Sequence, residues 1–81
     1  MADHQTDERV LGRIQKLVDE EQALYRGQDL DDHAQVRLET IKVELDQCWD
    51  LLRQRRALRE TGGDPQEAAV RPAGQVEGYL G

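Results

Sequence analysis

The side chains best equipped for chemistry here are one thiol, two imidazoles, clustered carboxylates and a short run of arginines. Cys48 lies between Leu45 and Leu52 in an apolar seam, with neither His4 nor His33 near it in sequence. A nucleophilic cysteine needs an adjacent base or a lowered pKa, and an apolar setting raises that pKa instead. Cys48 therefore reads as core, and as the single cysteine it cannot form an internal disulfide. The chain has no serine, which excludes a serine nucleophile. His4 and His33 lack both a cysteine pair and HxxxH spacing, so no zinc ligand set is present. Asp29, Asp31 and Asp32 have the acidity of a calcium loop without its 12-residue pattern, and the Glu-x-x-His motif of di-iron bundles is absent. No glycine-rich phosphate loop occurs. These absences predict a non-enzyme with no cofactor and no metal.

The arginines are the sharper candidate. Residues 1–50 carry 13 acidic and 6 basic side chains, whereas Leu51–Thr61 carries four arginines against one glutamate. Arg53, Arg55, Arg56 and Arg59 suit the negative end of a helix and can pair with Asp7 or Glu8 from a neighbouring helix. Asp50, three residues before Arg53, offers a local partner as well. The alternative is an anion-binding patch for nucleic acid or an acidic protein, because a planar guanidinium binds phosphate or carboxylate bidentately. A chain of net charge −6 is a poor host for that patch, so the structural reading is preferred.

Two long helices must position these groups. The first is predicted over residues 7–26, with Thr6 as N-cap and Gly27 as a left-handed C-terminal cap. Val10, Leu11, Ile14, Leu17, Val18, Leu24 and Tyr25 form one stripe at 100° per residue, interrupted by Glu21. Glu21 either pairs with Arg37 or sets register as a buried polar residue. Asp32 and Gln35 resemble a capping box, predicting a second helix over about residues 33–60. Its seam is Leu38, Ile41, Leu45, Cys48 and Leu52, with Ala34 and Trp49 beside it. Together with Ile14 and Leu17 these seam residues, Trp49 included, form the expected core. Val36, Val43, Leu51 and Leu58 form a sparser line on nearly the opposite side. One helix cannot cover both lines, so either the C-terminal segment or a second subunit covers the other.

An antiparallel hairpin places Ile14 near Leu45 and Asp7 near Leu52. Beyond Leu52 the second helix outruns the first, which explains why leucines give way to arginines along one seam. Asp64-Pro65-Gln66-Glu67 is a start signal for a short third helix, limited by Pro72. The C-terminal arm then offers Val76, Tyr79 and Leu80 as a candidate partner-binding segment.

The expected fold is all-α: an antiparallel two-helix hairpin (residues 1–61) followed by a short helix and C-terminal arm (62–81). Eighty-one residues, 37% hydrophobic and without phenylalanine, make a thin core that oligomerisation commonly supports. A homodimer forming a coiled-coil-like bundle is the simplest expectation. No apolar run spans a bilayer and no signal peptide is evident, so a cytoplasmic protein that does not bind membranes is expected.

The run VELDQCWDLLRQRRALRE (43–60), followed by GGDPQEAAVRP (62–72) and VEGYL (76–80), resembles an uncharacterised group of short actinobacterial proteins catalogued as a domain of unknown function. IQKLVDEEQAL (14–24) is similar to the group's first helix. Nine arginines against two lysines accord with a high-GC source. The resemblance implies no activity, cofactor or catalytic residue. The expected function is a small non-enzymatic adaptor or regulator that binds protein; the alternative is a nucleic-acid or ribonucleoprotein accessory acting through Arg53–Arg59.

Overall fold

The computed structural model describes residues 6–27 and 30–76. Helix α1 (Asp7–Arg26) opens where Thr6 accepts a hydrogen bond from the Arg9 N–H at 3.1 Å, with Asp7 and Glu8 in its first turn. It buries Val10, Ile14 and Leu17, a single stripe spaced by four and three residues. The helix ends as Gly27 N–H meets the Ala23 carbonyl, but Gly27 has φ −67° and ψ 110°. The left-handed cap expected there is therefore corrected to an extended exit.

Helix α2 (Asp32–Glu60) begins one residue earlier than the sequence pattern suggests. Its N-cap is Asp31, not Asp32: the Asp31 carboxylate accepts from Ala34 N–H at 2.8 Å. The Gln35 side chain donates instead to the Leu30 carbonyl at 3.0 Å, so the expected capping box does not form. Asp32 then sits in the first turn, where the helix dipole favours its charge. At the far end Gly63 N–H reaches the Leu58 carbonyl (2.7 Å) and Gly62 N–H the Arg59 carbonyl (3.3 Å). With Gly62 at φ +79°, this is a Schellman termination.

The chain turns back through a 3₁₀ turn, Pro65–Glu67, capped by the Asp64 carboxylate on Gln66 N–H at 2.9 Å. The helix expected from Pro65 to Pro72 is thus one short turn. Pro72 instead precedes a four-residue helix, α3 (Ala73–Val76). Residues 64–76 run back along α2, and Ala68 is buried against it.

The core is small and three-sided. Val10, Ile14 and Leu17 from α1 meet Ile41, Cys48 and Leu51 from α2, with Ala68 closing the back. Ile41 is fully enclosed. Leu51, which the periodicity puts on the sparser line, belongs to this core because the returning segment covers that side of α2. Leu38, Leu45 and Leu52 are only half-buried. Trp49 is 43% exposed, correcting its assignment to the core: it lies on the flank of α2 outside the helix–helix seam.

Candidate interaction face

Ion pairs fix the hairpin's register and mark one edge of it. Arg13 pairs with Glu44 at 2.9 Å. Arg37 grips Glu20 with two hydrogen bonds, at 2.6 and 2.7 Å, and reaches Glu44 at 3.4 Å. The expected Glu21–Arg37 contact is therefore made by Glu20; Glu21 is half-buried, in line with Ile14 and Leu17. The fork on Arg37 lowers the Glu20 pKa and raises that of Arg37. Residues 13 and 20 on α1, and 37 and 44 on α2, are each seven apart, so this edge is a continuous polar seal.

The opposite edge has the same spacing and opposite chemistry. Leu11, Val18 and Tyr25 repeat every seven residues on α1, and Leu38, Leu45 and Leu52 do so on α2, with Trp49 beside them. In the register set by the ion pairs, Leu11 lies level with Leu45 and Val18 level with Leu38. Leu11 is 48% exposed and Tyr25 61%, while Val18, Leu38, Leu45 and Leu52 are half-buried. The hairpin thus shows a second apolar stripe beside its core, a pattern that marks interaction surfaces.

The returning segment takes the third side of α2. The Gln54 side chain donates to the Ala69 carbonyl (2.7 Å) and accepts from Ala69 N–H (3.2 Å), a substitute for a backbone ladder pair. Gln54 also donates to the buried Asp50 at 2.7 Å, and Arg71 approaches Asp50 at 3.4 Å. Gln47 donates to the Arg71 carbonyl at 3.0 Å. Asp50 is thus held by Gln54 and Arg71. Sequence reasoning missed this clamp; its signal is the polar row Gln47, Asp50, Gln54 on the line shared with Leu51 and Leu58.

The structure separates the four arginines. The Arg55 side chain is 7% exposed, donates to Asp7 at 2.7 Å, and donates to the Pro65 carbonyl at 3.2 Å. It joins the start of α1, the end of α2 and the 3₁₀ turn. Arg59 meets the same carboxylate at 2.9 Å. Together they hold the Asp7 carboxyl below its ordinary pKa, the hydrogen bond from Arg55 contributing most. Arg56 is exposed and approaches Glu60 at 3.8 Å, and Arg53 is exposed too. The four therefore do not converge on one outward site.

Burial raises the Cys48 thiol pKa, with Glu44 adding to the shift and Arg13 opposing it. No groups of three or more histidine, cysteine or carboxylate side chains come together as a metal would need among the described residues. No helix among them is long and apolar enough to cross a membrane. Of the expected arm, Val76 closes α3, while Tyr79 and Leu80 lie outside the described residues.

These features define a small all-helical protein whose most distinctive surface is an apolar face, not a polar cleft. Residues 6–81 match the model of a family described as a protein of unknown function (DUF2630), and the chain belongs to that family. The uncharacterized protein Rv0898c of Mycobacterium tuberculosis (strain ATCC 25618 / H37Rv) is 59% identical over 80 residues, covering 94% of this chain and 92% of the relative. The uncharacterized protein Mb0922c of Mycobacterium bovis is similar to the same extent. The resemblance to uncharacterised actinobacterial proteins thus holds along nearly the whole chain. No solved structure matches it.

Proposed function

We propose that this protein is a small non-enzymatic interaction module, an adaptor or regulator of the cytoplasm, that engages protein through the Leu11–Tyr25/Leu38–Leu52 face. The observation that carries this reading is the difference between the hairpin's edges. One is sealed by Arg13, Glu20, Arg37 and Glu44, and a third side is covered by the chain's own residues 64–76. The remaining edge leaves Leu11, Tyr25 and Trp49 in water. The buried, raised thiol of Cys48 supports a reading without nucleophilic catalysis.

The nucleic-acid alternative draws less support. Arg55 and Arg59 are engaged with Asp7, which leaves Arg53 and Arg56 as the arginines best placed to reach phosphate. Affinity capture from lysate, with the eluate assayed for protein and nucleic acid, tests both readings. Wild type is compared with Leu45→Glu and with Arg53→Glu/Arg56→Glu, Arg55 being left intact because its loss would loosen the fold. The interaction reading expects a recurrent protein that Leu45→Glu loses and the arginine variant keeps. Nucleic acid recovered by wild type and lost with the arginines would overturn it. Deleting residues 76–81 tests the arm separately: capture that survives the deletion assigns the contact to the hairpin face alone.

A further inference from the structure

One buried carboxylate on α2 is left unanswered by the rest of the fold. Asp46 and Asp50 lie one turn apart, 9% and 7% exposed. Asp50 is met by Gln54 and Arg71. Among the described residues no hydrogen bond or ion pair reaches the Asp46 side chain. Burying such a group without a partner is costly, and folded chains rarely do it. Helix α1 cannot supply the counter-charge: at ~100° per residue Asp46 stands roughly opposite Ile41 and Cys48, which pack against α1. The segment beyond Arg71 cannot supply it either, because no lysine, arginine or histidine follows in the sequence.

Asp46 also faces open space. It lines a cavity of about 280 Å³ together with Glu39, Lys42 and Val43. Glu39 is exposed and adds a second carboxylate, while half-buried Val43 supplies an apolar wall. Lys42, one turn before Asp46, stands in the less favourable order for a helical ion pair and forms none among the described residues. The volume falls below the ~300–1,000 Å³ of a drug-sized ligand and suits a single side chain. Two carboxylates are fewer ligands than a divalent cation collects, and no third metal-ligating side chain joins them among the described residues. An ammonium or guanidinium needs only acceptors, because it brings its own donors.

We infer that this cavity receives a lysine or arginine side chain of the protein partner. The anchor rests on the interaction reading above and names the partner's charge at one place. It adjoins the apolar face: Trp49 follows Asp46 by three residues on the same side of α2 and is 43% exposed. A basic side chain can lay its aliphatic stem along Trp49 and set its charged head on Asp46 and Glu39. The net charge of −6 favours the approach of a basic segment.

Two measurements test the anchor. A neutral amide costs less to bury than an unpaired carboxylate, so Asp46→Asn is expected to raise Tm by roughly 5 °C. An unchanged or lower Tm would mean that the fold itself satisfies the carboxylate, and would overturn the inference. The second measurement titrates the full chain with N-acetyl-arginine amide and follows backbone amide chemical shifts. Saturable shifts at Lys42, Val43 and Asp46 are expected, and none from the uncharged citrulline analogue. Asp46→Asn should weaken binding roughly tenfold or more. Glu39→Gln, at an exposed position, should weaken it less, and Lys42→Met should tighten it by removing a competing ammonium. No saturable shift, or shifts that calcium chloride produces and the arginine derivative does not, would overturn the anchor. If the derivative fails while Leu45→Glu still abolishes capture from lysate, the interaction reading survives without it. If the derivative binds while capture is indifferent to Leu45→Glu, the interaction reading falls and the cation site stands alone.

Discussion

Asp7 accepts from Arg55 and Arg59 at the open end of the hairpin, so one carboxylate holds the start of α1 against the end of α2. Its pKa is lower folded than unfolded, so its contribution is present above the unfolded value and is lost as pH falls through the folded one. Glu20 has the same sign through Arg37. Resistance to urea is therefore expected to fall below about pH 4. Asp7→Asn should cost about 1–2 kcal/mol at pH 7, less than a fully buried pair because the aspartate is partly solvated. The gap between wild type and variant should close as pH falls through the folded-state pKa of Asp7, where the native carboxylate becomes neutral as well. A gap independent of pH would assign the loss to packing and not to charge. Cys48 gives a second residue-scale prediction. Its thiol is buried with a raised pKa, so reaction with a thiol reagent at neutral pH should be slow and should accelerate with sub-denaturing urea. Rapid, stoichiometric labelling of the native chain would refute that account.

Among the elements, the two helices were legible because each ends in local chemistry: Thr6 before α1, an aspartate before α2, and Thr61-Gly62-Gly63 after it. Which glycine must be glycine was not legible: Gly27 directly follows the last residue of α1, whereas Gly62 is set off from α2 by Thr61. Only Gly62 adopts positive φ, because its carbonyl-capping pair requires it. Gly62→Ala is expected to cost about 1–2 kcal/mol. Gly27→Ala, with its nearest non-adjacent atom 3.5 Å from a new Cβ, is expected to be neutral or slightly stabilising. Equal thermal losses for the two would remove the distinction. The seam residues were readable from their spacing, but Trp49 was misplaced because period alone cannot tell the centre of a stripe from its flank. The clamp made by Gln47, Asp50 and Gln54 was hidden for another reason. It depends on where residues 64–76 return, and no local propensity encodes that. The arginine run showed its charge in the sequence but not its division into buried Arg55, clasped Arg59 and exposed Arg53 and Arg56.

At the scale of the whole molecule the stability of one hairpin and the occupancy of its apolar face are the same problem. Seven buried apolar residues make a thin core, with Ile41 the only large side chain fully enclosed among the described residues. A second copy over Leu11, Leu45 and Trp49 would enlarge that core without lengthening the chain. Association and folding would then be linked, because the folded state is drawn on by mass action. An unfolding enthalpy of about 0.7 kcal/mol per residue gives a dimer of this chain on the order of 110 kcal/mol. From that enthalpy, raising the protein concentration a hundredfold should raise Tm by about 5–10 °C. The Leu45→Glu chain should melt at one temperature across the same range, and lower than wild type at high concentration. Circular dichroism melts at matched concentrations distinguish the cases. A wild-type Tm independent of concentration would mean that the hairpin's thin core and its polar clasps stabilise it alone, and that the apolar face is kept for another protein.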